Sequence, residues 1–365
     1  MRYLFSVFLF LLLAIFLFSS CKQKGTKIER AFYYWKNNER FLHDNEKEIL
    51  KTLRTQKMYV KFFEVEADPV FKSKPFAKTT LQIYFPESGL PDSDTLLIKT
   101  LKNLEIIPTI FIRNNVFNSS SEKDLDTLAD NIFFLINKYA KDITRGYREQ
   151  PAIDIHEIQI DCDWTERTKD KYFYLLKAIK SISQKAISCT LRLYPYAYPE
   201  KMGIPPVDKA TLMCYNLTNP LEDKNSNSIQ NNEVLELYLK RGHNYPIHLD
   251  VALPLFSWAQ VYQNDQFAGL IKADIEPLRK NLKKIKPLWF ELQADIEYDD
   301  IYLRAGDKLK IEEVTFAETK KTINLLKKYI TLDPVITVTL FDLDENNLKK
   351  YSHEKIDNIF TAFTE

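Results

Sequence analysis

The chain has 365 residues, of which 51 are Lys or Arg and 50 are Asp or Glu, so its formal net charge is +1. Hydrophobic residues make up 45% of the sequence, which is enough for the core of one large barrel or of two to three average domains. This balance of charge argues against a nucleic-acid partner, which would need a basic face. The 7 glycines form neither a GxxxxGK[ST] nor a GxGxxG pattern, which excludes those nucleotide-binding turns.

The first 20 residues are a candidate export signal. Arg2 precedes a continuous apolar run that is short for a membrane span, and a Ser-Ser-Cys sequence ending at Cys21 follows. This end resembles a bacterial lipobox, which implies cleavage before Cys21 and a lipid anchor on that residue. We therefore expect a tether at residues 21–30 and a body outside the cytoplasm, anchored to the cell envelope at the outer membrane. An uncleaved N-terminal anchor is the alternative.

Eight strand-like runs alternate with stretches of helical periodicity. The predicted strands are 31–36, 57–66, 106–113, 157–164, 187–195, 211–216, 247–254 and 335–343. The predicted helices are 44–54, 94–103, 122–142, 165–184, 230–241, 267–284, 317–329 and 346–362. This alternation predicts a (β/α)8 TIM barrel over residues 31–365. An additional strand at 78–86 and a small β-rich insertion at about 285–316, between the seventh and eighth strands, lie outside the repeat.

The alternation of side chains along each strand predicts which residues face the barrel axis. In the fourth strand the apolar residues face the helices, so Gln159, Asp161 and Asp163 must point inward. The same rule turns these residues inward: Thr109, Arg113, Ser188, Thr190, Arg192, Tyr194, Met213, Tyr215, His248, Asp250, Ala252, Thr337, Thr339 and Phe341. A self-neutralising network would explain the deep charges. Polar groups at the carboxyl ends of strands instead predict a functional site.

Several of these strands carry motifs of a known family. "DCDWTE" (161–166) resembles the DxDWE signature on the fourth strand of chitinase-like glycoside hydrolases, the family-eighteen barrels. "MCYN" (213–216) is similar to the MxY[DN] motif of their sixth strand. "DVALPLFSW" (250–258) and "VTLFDLD" (338–344) resemble the runs on their seventh and eighth strands.

The resemblance implies cleavage of a glycosidic bond in which the N-acetyl group of the substrate is the nucleophile. Matched by position, Asp161 and Asp163 correspond to the two aspartates of the family, with Asp161 orienting Asp163. Tyr215 corresponds to the tyrosine that hydrogen-bonds the substrate. The proton-donor position falls on Thr165, so Glu166, one residue later, is the candidate acid, and Glu64 is the alternative.

Further residues are candidates for substrate binding. They are Glu64, Arg113, Trp164, Arg192, Tyr194, Asn216, Asp250 and Trp258. Glu64 competes with Lys61 for the barrel interior, and Phe341 stands where the family has a tryptophan that floors the sugar site.

Nothing in the sequence indicates a metal or a cofactor. Cys162, Cys189 and Cys214 have no CxxC spacing and are expected to be buried free thiols. His248 and Asp250 could reach a metal, but no HxH or HExxH spacing supports this.

The sequence therefore predicts a glycoside-hydrolase-like lipoprotein that cleaves or binds an envelope or dietary polysaccharide, with N-acetyl sugars among the candidates. A non-catalytic glycan-binding or structural envelope lipoprotein with the same barrel is the alternative. We expect a monomer whose partners are a carbohydrate and, through Cys21, a membrane.

Overall fold

The computed structural model of the protein describes residues 26–36, 42–68, 72–77, 102–142, 153–222, 224–242, 244–272, 274–298 and 301–365. The expected signal and Cys21 lie outside these residues. So do the strand expected at 78–86 and nearly all of the helix expected at 94–103. Among the described residues no helix is both long and apolar enough to cross a membrane.

The strands are β1 (Lys27–Tyr34), β2 (Lys57–Asp68), β3 (Lys72–Ala77), β4 (Glu105–Ile112), β5 (Glu157–Asp161), β6 (Ala186–Leu191), β7 (Lys209–Met213), β8 (His248–Pro254), β9 (Trp258–Gln263), β10 (Gln266–Ile271), β11 (Leu282–Lys286), β12 (Trp289–Leu292), β13 (Ile296–Tyr298), β14 (Ile301–Leu303), β15 (Lys308–Glu312) and β16 (Val335–Phe341). The helices are α1 (Asp44–Thr52), α2 (Val116–Ser119), α3 (Glu122–Asp142), α4 (Lys169–Ser183), α5 (Leu193–Ala197), α6 (Pro199–Met202), α7 (Asn232–Arg241), α8 (Glu276–Arg279), α9 (Phe316–Tyr329), α10 (Glu345–Lys349) and α11 (His353–Thr361).

Eight parallel strands close into a barrel. Their order is β1-β16-β8-β7-β6-β5-β4-β2, and β1 pairs with β2 to close the ring, with Tyr33 opposite Tyr59. The short strand β3 runs antiparallel to the outer half of β2. The predicted (β/α)8 barrel is therefore confirmed.

The barrel strands separate two apolar cores. Ile158, Ile160 and Cys162 on one side of β5 share a large cluster with Leu175 of α4 and other helix residues. The opposite faces of the strands fill the interior with a second, smaller cluster that includes Tyr33, Tyr59, Ile107, Met213, Tyr215 and Ala252. The odd-numbered residues of β5 consequently face the axis, as their alternation predicted. The three described cysteines are buried free thiols, also as predicted.

The segment between β8 and α9 differs from the prediction. It forms a five-stranded antiparallel sheet in the order β10-β9-β15-β12-β11 and a separate hairpin of β13 and β14. We call residues 258–312 the insertion. Its expected bounds of about 285–316 are wrong because the sheet already starts at Trp258. The helix expected at 267–284 is wrong for the same reason, since β10 and β11 occupy its two ends and only the short helix α8 lies between them.

Some element ends also differ from the prediction. Strand β1 begins at Lys27 and pairs there with β16, so the end of the expected tether at 21–30 belongs to the barrel. Strand β6 ends at Leu191, and the short helix α5 replaces the end of the strand expected at 187–195. Two helices, α10 and α11, take the place of the one expected at 346–362, because Ser352 caps a new helix.

Candidate functional site

The amino-terminal end of the barrel holds a neutralised charge network, which we call the floor. The Nζ atom of Lys209 lies 2.9 Å from Glu157 Oε2 and 3.0 Å from Asp250 Oδ2. His248 lies between two carboxylates, with Nε2 3.1 Å from Asp250 and Nδ1 2.5 Å from Asp333. Opposite charges at these distances offset the cost of removing the groups from water.

Asp250 belongs to the floor and not to a substrate site, which corrects its expected role. It is 1% exposed, and its Oδ1 also accepts the backbone N–H of Thr337 at 2.6 Å. Burial alone would raise the pKa of Asp250, but its bonds to His248, Lys209 and Thr337 outweigh burial and lower the pKa to about 2. A carboxylate held so firmly by the protein has no role in contacting a ligand at the other end of the barrel.

The carboxyl ends of the barrel strands form the opposite end, which we call the mouth. Here Arg192 makes a two-pronged ion pair with Asp163, from Nε to Oδ1 at 2.7 Å and from Nη2 to Oδ2 at 3.1 Å. The Nη1 atom of Arg192 lies 3.5 Å from the backbone oxygen of Asn216. Asn216 has a positive φ of 52°, and its buried Oδ1 accepts no hydrogen bond within the described part of the chain. Asp163, Arg192 and Asn216 therefore lie together, as predicted for a site on neighbouring strands.

Asp161 lies one step deeper on the same face of β5. Its Oδ1 accepts a hydrogen bond from Thr190 Oγ1 at 2.6 Å. Burial and the negative charge of Asp163 raise the pKa of Asp161 to about 6, although Thr190, Arg192 and Lys61 act in the opposite direction. Asp161 can thus gain or lose a proton at about pH 6, and the role toward Asp163 that the family resemblance implied stays a prediction.

Aromatic rings line the mouth beside these charges. Tyr215 packs on Phe341, with ring centroids 5.1 Å apart, and edge-on against Phe256 at 6.1 Å. Trp35 lies 5.8 Å from Phe341, and Trp258 lies 5.4 Å from Phe256. Tyr215 is buried, whereas the other four rings are partly exposed. Partly exposed rings next to hydrogen-bonding groups are typical of ligand sites.

The carboxyl ends of β2 and β4 add a second charge cluster. Lys61 is buried, with Nζ 3.2 Å from Glu64 Oε1 and 5.3 Å from the centre of the Trp35 ring. Arg113 lies 3.5 Å from Glu64 and 2.7 Å from Glu66. The register between β2 and β4 shifts between Lys61 and Phe63. This bulge lets both Lys61 and Glu64 lie in the cluster, which strict alternation along β2 would not allow.

Asp342 is a titratable residue at the mouth that the sequence analysis did not single out. It follows β16 across a cis peptide bond from Phe341, and its Oδ1 accepts a hydrogen bond from Asn347 Nδ2 at 2.8 Å. Burial, with the charge of Asp344 adding to it, raises the pKa of Asp342 to about 7. Burial also raises the pKa of Tyr215 well above its ordinary range, and both Asp161 and Asp342 contribute to that shift.

Trp164 lies away from the mouth, which corrects its expected role in substrate binding. Its ring is buried in the helix-facing core, stacked on Tyr172 with centroids 5.1 Å apart. Its Nε1 donates to the backbone oxygen of Met202 at 3.1 Å. The same alternation that turns Asp163 inward turns the next residue outward.

The structure also places Glu166 and Tyr194 outside the cluster at the mouth. Glu166 is exposed in the turn that leads to α4, where Thr165 N donates to Thr168 Oγ1 at 3.0 Å. Tyr194 is 44% exposed on α5 and stacks on Tyr198 at 4.6 Å. Strand alternation predicted an inward Tyr194, and this is wrong because the strand ends at Leu191.

No protein-family model matches the sequence, and no curated protein matches it. Solved structures do match. The spore cortex-lytic enzyme SleL of Bacillus cereus has a TM-score of 0.52 and 11% identity, with 93% of this chain and 75% of that chain covered. A Group IV chitinase of Ostrinia furnacalis has a TM-score of 0.50 and 10% identity, with 93% and 100% covered.

The chain has the fold of the chitinases. The resemblance to chitinase-like glycoside hydrolases inferred from the motifs is therefore confirmed at the level of the fold. Sequence identities of 11% and 10% are too low for the roles of single residues to be transferred. The function of the mouth is therefore inferred from its own chemistry. Within the described residues, no group of three or more His, Cys, Asp or Glu side chains is arranged to hold a metal ion.

Proposed function

We propose that the protein is a glycoside-hydrolase-like carbohydrate-binding protein and that a glycan lies across the mouth of the barrel. The observation that carries this proposal is the combination of partly exposed rings with the Asp163–Arg192 pair at one end of the barrel. Rings offer flat apolar surfaces to the C–H faces of sugars, and paired charged groups hydrogen-bond the hydroxyls.

Binding has stronger support than cleavage by the usual route of the family. Thr165 occupies the proton-donor position, and its hydroxyl lies 3.1 Å from that of Thr168. Glu166 is exposed in the turn between β5 and α4. The charge of Asp161 nevertheless contributes to the raised pKa of Tyr215, and the two groups suit an amide-bearing sugar because a protonated carboxyl and a phenol both donate hydrogen bonds.

The proposal is tested by calorimetric titration of the mature chain with tetra-N-acetylchitotetraose and with cellotetraose, which lacks the acetamido groups. We expect the N-acetylated sugar to bind, and Asp163→Asn to weaken binding about tenfold, because a charge-assisted hydrogen bond is lost. Asp208→Asn is the matched control, since Asp208 forms a comparable ion pair with Lys180 away from the mouth. Failure of every oligosaccharide to bind, or equal losses in both variants, would contradict the proposal.

A second candidate function, hydrolysis, rests on Asp342. A carboxyl group whose pKa is about 7 is half protonated at neutral pH, which suits a proton donor. Asp342 would give its proton to the glycosidic oxygen as the bond to the sugar breaks, and the water that then adds to the sugar would return a proton to the Asp342 carboxylate. Asp161 would be the second carboxyl.

Release of reducing sugar from chitin oligomers measures this activity. We expect turnover to fall as the pH rises through about 7, because the donor loses its proton there. Asp342→Asn should abolish turnover while leaving oligosaccharide affinity within about twofold. Binding without any turnover in the unaltered protein would leave the carbohydrate-binding function alone.

The N-terminal region supports a further proposal on location. Cys21 would carry a lipid after cleavage of residues 1–20, and the barrel would stand outside the cytoplasm on the cell envelope. Expression in a bacterium fed a radioactive fatty acid should label the protein. Cys21→Ala should abolish the label and release the protein from the membrane fraction, and a labelled Cys21→Ala protein would contradict the proposal.

A further inference from the structure

The insertion contains a buried carboxylate on which several hydrogen bonds converge. Glu312 ends β15 and is 0% exposed. Its Oε2 accepts from Trp258 Nε1 at 2.5 Å and from Gln260 Nε2 at 2.8 Å. Its Oε1 accepts the backbone N–H of Ser228 at 2.7 Å and lies 2.9 Å from Lys310 Nζ. One side chain thus joins β9, β15 and the segment between β7 and α7.

The partner of Glu312 that reaches the mouth is Trp258. The ring of Trp258 packs against Phe256, which in turn contacts Tyr215 and Phe341 of the barrel. Trp258 is partly exposed, although its Nε1 is directed into the insertion. The indole is therefore held at its polar edge by the insertion and presents part of its surface at the mouth.

Glu312 and Lys310 are both charged groups that the insertion removes from water. Burial alone would raise the pKa of Glu312, but hydrogen bonds from Trp258, Ser228 and Lys310 outweigh burial and lower it. Burying both this carboxylate and the fully buried Lys310 costs free energy that an apolar pair of similar volume would not. The apolar residues of the insertion, including Val261, Leu309 and Ile311, already form a core of their own. The charge on Glu312 is therefore better explained by its hydrogen bond to Trp258, which orients the indole ring.

We propose that Glu312 is a positioning residue that fixes the indole of Trp258 as one wall of the glycan site. The inference rests on the proposed carbohydrate-binding function of the mouth. Glu312 does not touch the sugar. It acts through Trp258, whose exposed face stacks on the C–H face of a pyranose ring, while the barrel supplies the charged hydrogen-bonding groups. The insertion and the barrel then form a single binding surface.

The orientation of Trp258 can be read without a ligand by nitrogen–proton correlation NMR. The chain has four tryptophans, so four indole N–H signals are expected, and Trp258→Phe identifies the one from Trp258. In Glu312→Gln we expect this signal alone to move upfield and to exchange faster with water. Adding Lys310→Met to Glu312→Gln also removes the buried ammonium group that faces the altered side chain, so that the insertion stays folded. An unchanged Trp258 signal in both variants would overturn the positioning role.

The contribution to binding is measured by titrating the same variants with tetra-N-acetylchitotetraose. Trp258→Phe keeps an aromatic ring but deletes the N–H that anchors it, so we expect affinity to fall about tenfold. The Lys310→Met/Glu312→Gln variant should lose a similar factor, and combining it with Trp258→Phe should add little, because both changes release the same ring.

Trp289→Phe is the matched control. Trp289 also lies in the insertion and also donates one indole hydrogen bond, to the backbone oxygen of Lys224 at 2.7 Å. Its ring packs on Tyr262, away from the mouth, so this variant should bind as the unaltered protein does. If the unaltered protein binds the oligosaccharide but Trp258→Phe loses no more affinity than Trp289→Phe, the positioning role of Glu312 is wrong while the proposed carbohydrate-binding function stands. If the unaltered protein binds no oligosaccharide, the proposed function fails and this inference fails with it.

Discussion

The raised pKa of Asp161 makes the stability of the folded protein depend on pH. Its pKa is about 6 in the folded protein, mainly because of burial, whereas an aspartate in an unfolded chain titrates near about 3.9. The folded state therefore binds the proton more tightly than the unfolded state does. Asp161 destabilises the fold increasingly as the pH rises from about 4 to about 6, and fully above that range.

Replacing this carboxyl should stabilise the protein at the higher pH only. We expect Asp161→Asn to raise the free energy of unfolding by about 1–2 kcal/mol at about pH 7.5 and by almost nothing at about pH 4. The amide oxygen can still accept the hydrogen bond from Thr190. Urea unfolding at the two pH values measures the difference. Asp163→Asn is the control and should not stabilise the protein, because it breaks the ion pair with Arg192. A lower free energy of unfolding for Asp161→Asn at about pH 7.5 would contradict this account.

Single residues of the candidate site were predictable where a regular strand carries them. Alternation correctly turns Asp161 toward the axis because β5 runs regularly up to it, and Asp163, two residues beyond the end of the strand, still pairs with Arg192 at the mouth. It could not predict the position of Tyr194, because the change from strand to the helix α5 depends on packing against other elements. The sequence does not predict Asp342, because strict alternation after the inward Phe341 turns the next residue outward.

At the level of elements, the helices with clear ends were the most predictable. The helix α3 matches its predicted range of 122–142, and the sequence shows why it starts there. Ser121 and Asp124 form reciprocal hydrogen bonds, from Ser121 N to Asp124 Oδ2 at 3.0 Å and from Asp124 N to Ser121 Oγ at 3.3 Å. Such local signals need no information from the rest of the fold.

The helix predicted at 267–284 is wrong because helical periodicity in a short segment can arise by chance. The turn between β9 and β10 places both Asn264 and Asp265 at positive φ, 50° and 62°. Two adjacent residues of this kind are the pattern of a tight hairpin turn, and the Asn-Asp pair in the sequence is consistent with it. The Asn-Asp pair therefore favours a hairpin with a strand on each side, as the structure has it.

At the level of the whole molecule, the two ends of the barrel use charge differently. In the floor, each of Glu157, Lys209, Asp250 and His248 has an oppositely charged neighbour within about 3 Å. At the mouth, Asp161 and Asp342 instead have raised pKa values, and aromatic rings are partly exposed. Barrels of this class place their binding groups at the carboxyl ends of the strands. The sequence indicated this division only in part, since it assigned Asp250 to the wrong end.

The positions of the four tryptophans allow a direct measurement of where a glycan binds. Trp35 and Trp258 lie at the mouth, whereas Trp164 is buried beneath α4 and Trp289 lies in the insertion against Tyr262. Their indole N–H signals can be followed by NMR while tetra-N-acetylchitotetraose is added. If the mouth is the binding site, the signals of Trp35 and Trp258 will shift in a saturable way while those of Trp164 and Trp289 stay in place. Saturable shifts confined to Trp164 or Trp289, or no shift in any of the four signals, would contradict the account.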